Sequence, residues 1–328
     1  MAFSKNLIRI DPEAVTRDIA EKLRRSVGRH LHKRGAVIGL SGGIDSSVTL
    51  ALCVRAFGPE KILGLALPES ESSPESTRLA QELASRFNIR LQVENLTPVL
   101  EGFHSYARRD EAIRKVFPEF EEGHTAKIIL PGDLMEKETL NVFQLKITAP
   151  GGEEKTRRIP LQEYLQIVAA SNFKQRCRMS LLYYHAERLN YAVIGTGNKN
   201  EHEQGFFVKY GDGGADVKPI AHLYKTQIYQ LAEHLEIPRD IRERIPTTDT
   251  YSSECTQEEF FFRVPFEVGD LAWLAMERGY SAAEAAAALD LTEEQVYRIQ
   301  NDIRRKLKTA EYLKSAPLHL VEPGPETS

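Results

Sequence analysis

Cysteine is scarce in this chain. Its 328 residues include three, Cys53, Cys177 and Cys255, set far apart and with no C-x-x-C pair. Such spacing excludes a disulfide framework or a cysteine-rich zinc site and fits reduced, buried thiols. Long apolar runs are also missing. The opening residues MAFSKNLIRIDPEAVTRDIA hold no signal-peptide core, and no later run could span a bilayer. Positive charge has no surplus: 43 Lys and Arg stand against 47 Asp and Glu, for a formal net charge of -4. That balance argues against a chain that coats nucleic acid or an anionic membrane. A cytoplasmic protein is expected. No repeat is present, and low complexity is confined to AAEAAAA.

What is there has the rhythm of an α/β protein. Val15, Ile19, Leu23, Val27 and Leu31 recur at helical spacing and predict a helix over residues 11–34, opened by Asp11-Pro12. A strand at 36–40, a helix from Ser46 to Phe57, a strand at 61–68, a helix at 77–87 and a strand at 89–96 follow. Strands alternating with helices imply a doubly wound parallel sheet. The rhythm breaks over residues 104–160, where KIILPGDL, LNVFQLKITAP and the Gly151-Gly152 turn predict a small β-hairpin insertion. It resumes with a helix at 161–189 and a strand at 191–197. A helical segment is expected over 266–313, and the tail EPGPETS is expected to fray. The whole chain, 1–328, is read as one domain.

Ligands of such a sheet sit beyond the carboxyl ends of its strands. Three loops stand there: Ser41 to Ser47, Pro68 to Ser76 and Thr196 to Glu203. The first, in AVIGLSGGIDSSVTLAL, is rich in small residues but has no P-loop lysine after its glycines. Backbone N–H groups of Gly42 and Gly43 and the hydroxyls of Ser41, Ser46 and Ser47 suit a phosphate. Asp45 would repel that phosphate unless a cation bridges them, and Mg²⁺ commonly joins one or two carboxylates to phosphate oxygens. The plainer alternative is that Asp45 and Ser46 only cap a helix.

SGGIDSS resembles the SGGxDS loop of the ATP pyrophosphatases, which split ATP into AMP and pyrophosphate. Within that group, GTGNKNEHEQGFFVKYGDGGADVKPIAHLYKTQ (195–227), NFKQRCRM (172–179) and RIPTTD (244–249) resemble segments of NAD synthetases of the ammonia-dependent type. The resemblance implies an adenine nucleotide α-hydrolase-like fold, ATP as co-substrate, Mg²⁺, and a two-step amidation. A carboxylate, that of deamido-NAD in these enzymes, is adenylated, and ammonia then displaces AMP. By matching position, Asp45 and Glu201 would hold Mg²⁺, and Ser41, Gly42, Gly43, Ser46 and Ser47 would cradle pyrophosphate. Thr196, Lys225 and Thr247 match ATP contacts, with Asp45 and Lys225 in the catalytic set. Arg176, Lys209 and Asp216 match positions that hold deamido-NAD, and Asp212 falls near the ammonia site. A homodimer is implied as well.

Each residue also has a plain alternative. Lys225 could be a solvated helix lysine, His202 a loop residue, Arg176 and Arg178 exposed ion-pair partners. The chain departs from the family pattern in three places: the insertion, the aromatic-rich 252–273, and the end AEYLKSAPLHL, where Tyr312 and Leu313 stand near an expected His-Lys pair. These departures leave open a different carboxylate acceptor in a specialised pathway. Residue 2 is Ala and no glutaminase domain is expected, so ammonia would be free or come from a separate glutaminase subunit. The segment 279–308 resembles a DNA-binding helix-turn-helix but is acidic at its start, which disfavours DNA. A non-catalytic nucleotide sensor or DNA-binding regulator is the alternative from another class.

Overall fold

The protein is described by a computed structural model over residues 2–130, 134–135, 143–247, 252–253 and 255–320. Parts of the expected insertion, the last residues of RIPTTD and the tail expected to fray lie outside the described residues.

The first helix, α1 (Pro12–Arg24), starts where Asp11 accepts hydrogen bonds from the N–H groups of Glu13 and Ala14. It continues into a π-helical turn, Arg25–His30, so the expected helix over 11–34 is present but changes pitch. Then come β1 (Ala36–Gly39), α2 (Ile44–Phe57), β2 (Ile62–Ala66), α3 (Pro74–Arg86) and β3 (Arg90–Val93). After the insertion follow α6 (Leu161–Leu189), β7 (Ala192–Ile194), α7 (Lys199–Gln204), α8 (Lys225–His234) and α9 (Arg239–Glu243). The strands pair in parallel in the order β3-β2-β1-β7. The central strands are apolar without alternation because both faces are covered. Helices α1, α2 and α8 share one core with Ile38 and Ile194, while α6 packs Leu182 and Ala186 against Val37, Leu63 and Val193 on the other face.

The insertion is larger than the expected hairpin. Helix α4 (Thr97–Gly102) precedes it, and it contains α5 (Ser105–Val116) and an antiparallel sheet of β4 (Thr125–Ile129), β5 (Gln144–Thr148) and β6 (Glu154–Arg158), in the order β4-β5-β6. Strands β4 and β5 bury alternate residues, with Ala126, Ile128, Leu145 and Ile147 meeting Phe117, Phe120 and Ile167. Strand β6, with the sequence EKTRR, is exposed along its length, so no hydrophobic period announces it.

The C-terminal segment is helical as expected, in three pieces: α10 (Phe266–Glu277), α11 (Ala282–Leu289) and α12 (Glu293–Lys314). Ser281 with Glu284 and Thr292 with Gln295 form capping boxes at the last two. The helix-turn-helix-like residues pack Ala285, Leu289, Val296, Ile299 and Ile303 around Trp273 of α10. All three cysteines are buried and none is in a disulfide.

Candidate active site

The loops after β1, β2 and β7 converge, as parallel strands require, on one cleft of about 600 Å³. Gly42 has φ +71°, and a Cβ there would lie 2.8 Å from the Ser76 carbonyl oxygen, so only glycine fits the turn. Helix α2 begins at Ile44, two residues before the expected start, and Gly43 is its N-cap. Ser46 and Ser47 both donate to the Gly43 carbonyl, at 2.9 and 2.8 Å, and Ser41 Oγ accepts the Gly43 N–H at 3.2 Å. Ser41, Gly43, Asp45 and Ser46 line the cleft. Gly42 and Ser47 lie behind that lining, and Ser47 is fully buried.

Across from this turn stands Lys225, the first residue of α8. It is fully buried, which removes the solvated-lysine alternative, and its Nζ donates to Asp45 Oδ2 at 2.5 Å. The other oxygen of Asp45 accepts from Asn198 Nδ2 at 2.9 Å. Asn198 is also the N-cap of α7, where its capping box with Glu201 directs that carboxylate toward the cleft. Burial, with Asp45 close by, pushes Glu201 up to about 8. Burial alone would lower Lys225, but Asp45 and Glu201 outweigh it and raise the ammonium above its ordinary value.

A supporting set escaped the sequence reading because its members are far apart in the chain and belong to no quoted motif role. The start of α8 is held by side chains: the Lys225 N–H donates to Asn200 Oδ1 at 3.0 Å, and the Thr226 N–H to Asp270 Oδ2 at 2.9 Å. Asp270 also accepts from Asn200 Nδ2 and the Thr226 hydroxyl. Gln257 Nε2 donates to Glu201 Oε1 at 3.2 Å. Arg178, Lys218 and Arg244 add positive charge to the lining, and Arg244 also donates to Ser76 Oγ.

Burial pushes Asp270 up to about 6. Its folded state therefore holds a proton that the unfolded chain, titrating near about 4, has released. Between those values the folded state binds more protons, so this group's contribution to stability falls as pH rises from about 4 toward about 6. Asp270→Asn should flatten that part of the curve, read by urea unfolding at a series of pH values. An unchanged slope would show that another group carries it.

The remaining expected site residues divide. Thr196, Thr247 and Asp212 line the cleft, and Asp212 accepts the Val208 N–H at 2.8 Å. Arg176, Lys209 and Asp216 do not line it. Arg176 donates to the Lys209 carbonyl, and Lys209 Nζ donates to the Tyr312 carbonyl in the last turn of α12 and to the Ser315 carbonyl just past it. Asp216 accepts from the Val193 N–H and the Tyr183 hydroxyl. His202 is a helical residue of α7 stacked on Phe207, not a loop residue. Leu313, of the altered C-terminal phrase, reaches the cleft.

A parallel sheet whose carboxyl edge carries a glycine turn, a buried lysine–aspartate pair and a second carboxylate defines a nucleotide-binding α/β protein fitted to handle phosphate. More narrowly, the chain belongs to the NAD synthase family, whose model matches residues 15–123 and 134–312. An NH(3)-dependent NAD(+) synthetase of Mesorhizobium japonicum is 46% identical over 318 residues, covering 97% of this chain and 99% of the relative. One from Rhizobium meliloti is 47% identical over 326 residues, covering 99% and 97%. The similarity thus runs through the insertion and the last helices, beyond the part that the quoted motifs cover. The solved NMN synthetase of Francisella tularensis shares the fold, with a TM-score of 0.64 at 23% identity over 95% of this chain and 99% of that one.

Proposed function

We propose that this chain forms NAD from deamido-NAD, ATP and free ammonia, releasing AMP and pyrophosphate. The observation that carries this reading is the buried Lys225–Asp45 pair facing the turn after β1, in a chain of this family. In the first step a carboxylate oxygen attacks the α-phosphorus of ATP. A C–O–P bond forms, the bond to the bridging oxygen breaks, and pyrophosphate leaves with the electron pair. In the second step ammonia attacks the acyl carbon, AMP leaves, and the nitrogen gives up a proton. Asp212, which lines the cleft, would accept that proton.

The turn residues Ser41, Gly43 and Ser46 would hold the pyrophosphate, with Ser47 bracing the turn from behind. Lys225 would keep positive charge beside the departing oxygen, and Thr196 and Thr247 would border ATP. Among the described residues no group of three or more His, Cys, Asp or Glu side chains could enclose a metal ion. Mg²⁺ needs fewer, since phosphate oxygens and water complete its shell. Asp45 and Glu201 fit it: the Asp45 charge raises the cost of charging Glu201, which a dication relieves. When bound there, Mg²⁺ would draw negative charge off the pyrophosphate. Arg176, Lys209 and Asp216 would hold deamido-NAD beside α6, near an interface between two copies of the chain. Among the described residues no helix is long and apolar enough to cross a membrane, and we place the reaction in the cytoplasm.

The test is incubation with ATP, Mg²⁺, ammonium and deamido-NAD, with NAD and AMP measured. Both should appear in equal amounts. AMP formed only with a different carboxylate would transfer the reaction to that acceptor, and no AMP with any would sink it.

A further inference from the structure

The cleft has an aromatic end that the adenylation chemistry does not use. Phe143, which leads into β5 of the insertion, stacks on Tyr164 of α6 with centroids 4.4 Å apart and planes 20° apart. Phe260, from the π-helical turn Glu258–Phe262, packs on the same insertion core. All three rings line the cleft and all are only partly buried. Rings of the same core that serve packing alone are closed off: Phe117 is 0% exposed and Phe120 4%. Aromatic rings left partly exposed on a concave wall, supplied by three separate chain segments, are the composition of a ligand site.

Helix α6 gives the position of this wall. Leu182 abuts Gly39 at the end of β1, where a Cβ would lie 3.6 Å from it. Tyr164 lies 18 residues (182 − 164) earlier on the same helix, about 27 Å at the helical rise. Tyr164, with Phe143 stacked on it, therefore stands far along α6 from the turn after β1, while Phe260, its ring 6.0 Å from that of Phe206, lies nearer that turn. Gln257, directly before the π-helical turn, ties the root of the wall to Glu201, where carboxylate and α-phosphate would meet. With the phosphates of ATP at the turn, the stretch of cleft along α6 is left to the second substrate.

We infer that Phe143, Tyr164 and Phe260 form a stacking site for the planar heteroaromatic ring of the carboxylate substrate that lies away from its reacting carboxylate, which makes the insertion a specificity element of the enzyme. The inference rests on the proposed reaction. The adenine of ATP has the same chemistry, and binding measurements separate the two. Phe143→Ala should weaken deamido-NAD binding by roughly tenfold, the scale of one aromatic contact, with the Kd for ATP changed less than about twofold. Isothermal titration calorimetry reads both. Phe143→Trp should restore binding, which a purely structural defect would not allow, and Tyr164→Leu serves as a second variant if Phe143→Ala fails to fold. Unchanged deamido-NAD binding would overturn the inference. Weakened ATP binding instead would assign the wall to adenine and overturn it as well. Formation of NAD by the parent reports on the reaction separately: a parent that binds deamido-NAD but makes no NAD loses the reaction and keeps the wall.

Discussion

Lys225→Met is expected to slow pyrophosphate release by at least about 10²–10³-fold, the scale of losing one preorganised charge partner at a reacting centre. The side chain keeps its length and loses its charge. Asp45 would then retain Asn198 as its hydrogen-bond partner, with Glu201 still close. Two carboxylates would face the pyrophosphate without the buried cation. Lys225→Arg should not rescue, because a residue with no exposed surface has no room for a guanidinium. Asp45→Asn is a less clean probe of the same pair. It leaves the Lys225 ammonium buried opposite an amide, a loss of about 3–5 kcal/mol that would mix unfolding with inactivity. Glu201→Gln completes the set and should also abolish release. Single-turnover pyrophosphate release, with circular dichroism to verify the fold, distinguishes these cases. A Lys225→Met rate within tenfold of the parent would remove the lysine from the chemistry.

The second large effect is expected away from the chemistry, in the ion network under the loop after β2. Lys174 of α6 is 2% exposed and donates to Glu69 Oε1 at 3.1 Å and to Glu71 Oε2 at 2.6 Å. Tyr106 donates to Glu69, and Arg109 of α5 donates to Glu71. Burial alone would raise Glu71, but Lys174 and Arg109 outweigh it and hold the carboxyl below its usual range. Lys174→Met should cost about 3–5 kcal/mol, because Glu69 is left charged and buried with neutral donors only. Adding Glu69→Gln should recover much of that loss, since it removes the uncompensated charge. Urea unfolding of the single and double variants checks both statements. Equal stability of parent and Lys174→Met would mean that the network contributes little.

The network also explains how the insertion became part of the site. Glu69 and Glu71 lie on the loop whose neighbours Pro68 and Ser72 line the cleft. Their partners come from α5, inside the insertion, and from α6. The sequence reading placed this loop at the carboxyl end of the second strand but named no residue in it. Nothing in ESESSPES distinguishes a glutamate that turns inward from one that faces water.

Local signals were strong where the physics is local. Ala36–Gly39, Ile62–Ala66 and Ala192–Ile194 are apolar throughout because they are covered on both faces, and their strands were legible from that alone. The glycine turn was legible because a positive φ at Gly42 demands glycine. Strand β6 and helix α5 were not: the first buries nothing, and the second buries only Ser105, Arg109, Ala112 and Ile113 in a highly charged stretch. The aromatic-rich 252–273 was visible as composition, yet its use was not, because Phe260 joins the core against which Phe143 and Tyr164 pack only through the tertiary fold.

By itself, then, the sequence determined the alternation of strands and helices, the glycine turn and, through the order of its motifs, the family. The first two depend on residues within a few positions of one another, and the third on motifs that are each local. The tertiary structure decided which of the charged residues meet. Asp45 and Lys225 are separated by 180 positions and Glu69 and Lys174 by 105, yet each pair is in contact. Parallel strands carry every carboxyl end to the same edge, so residues from distant loops are brought to one cleft. Burial then selects among them, because a charge removed from water persists only where an opposite charge meets it.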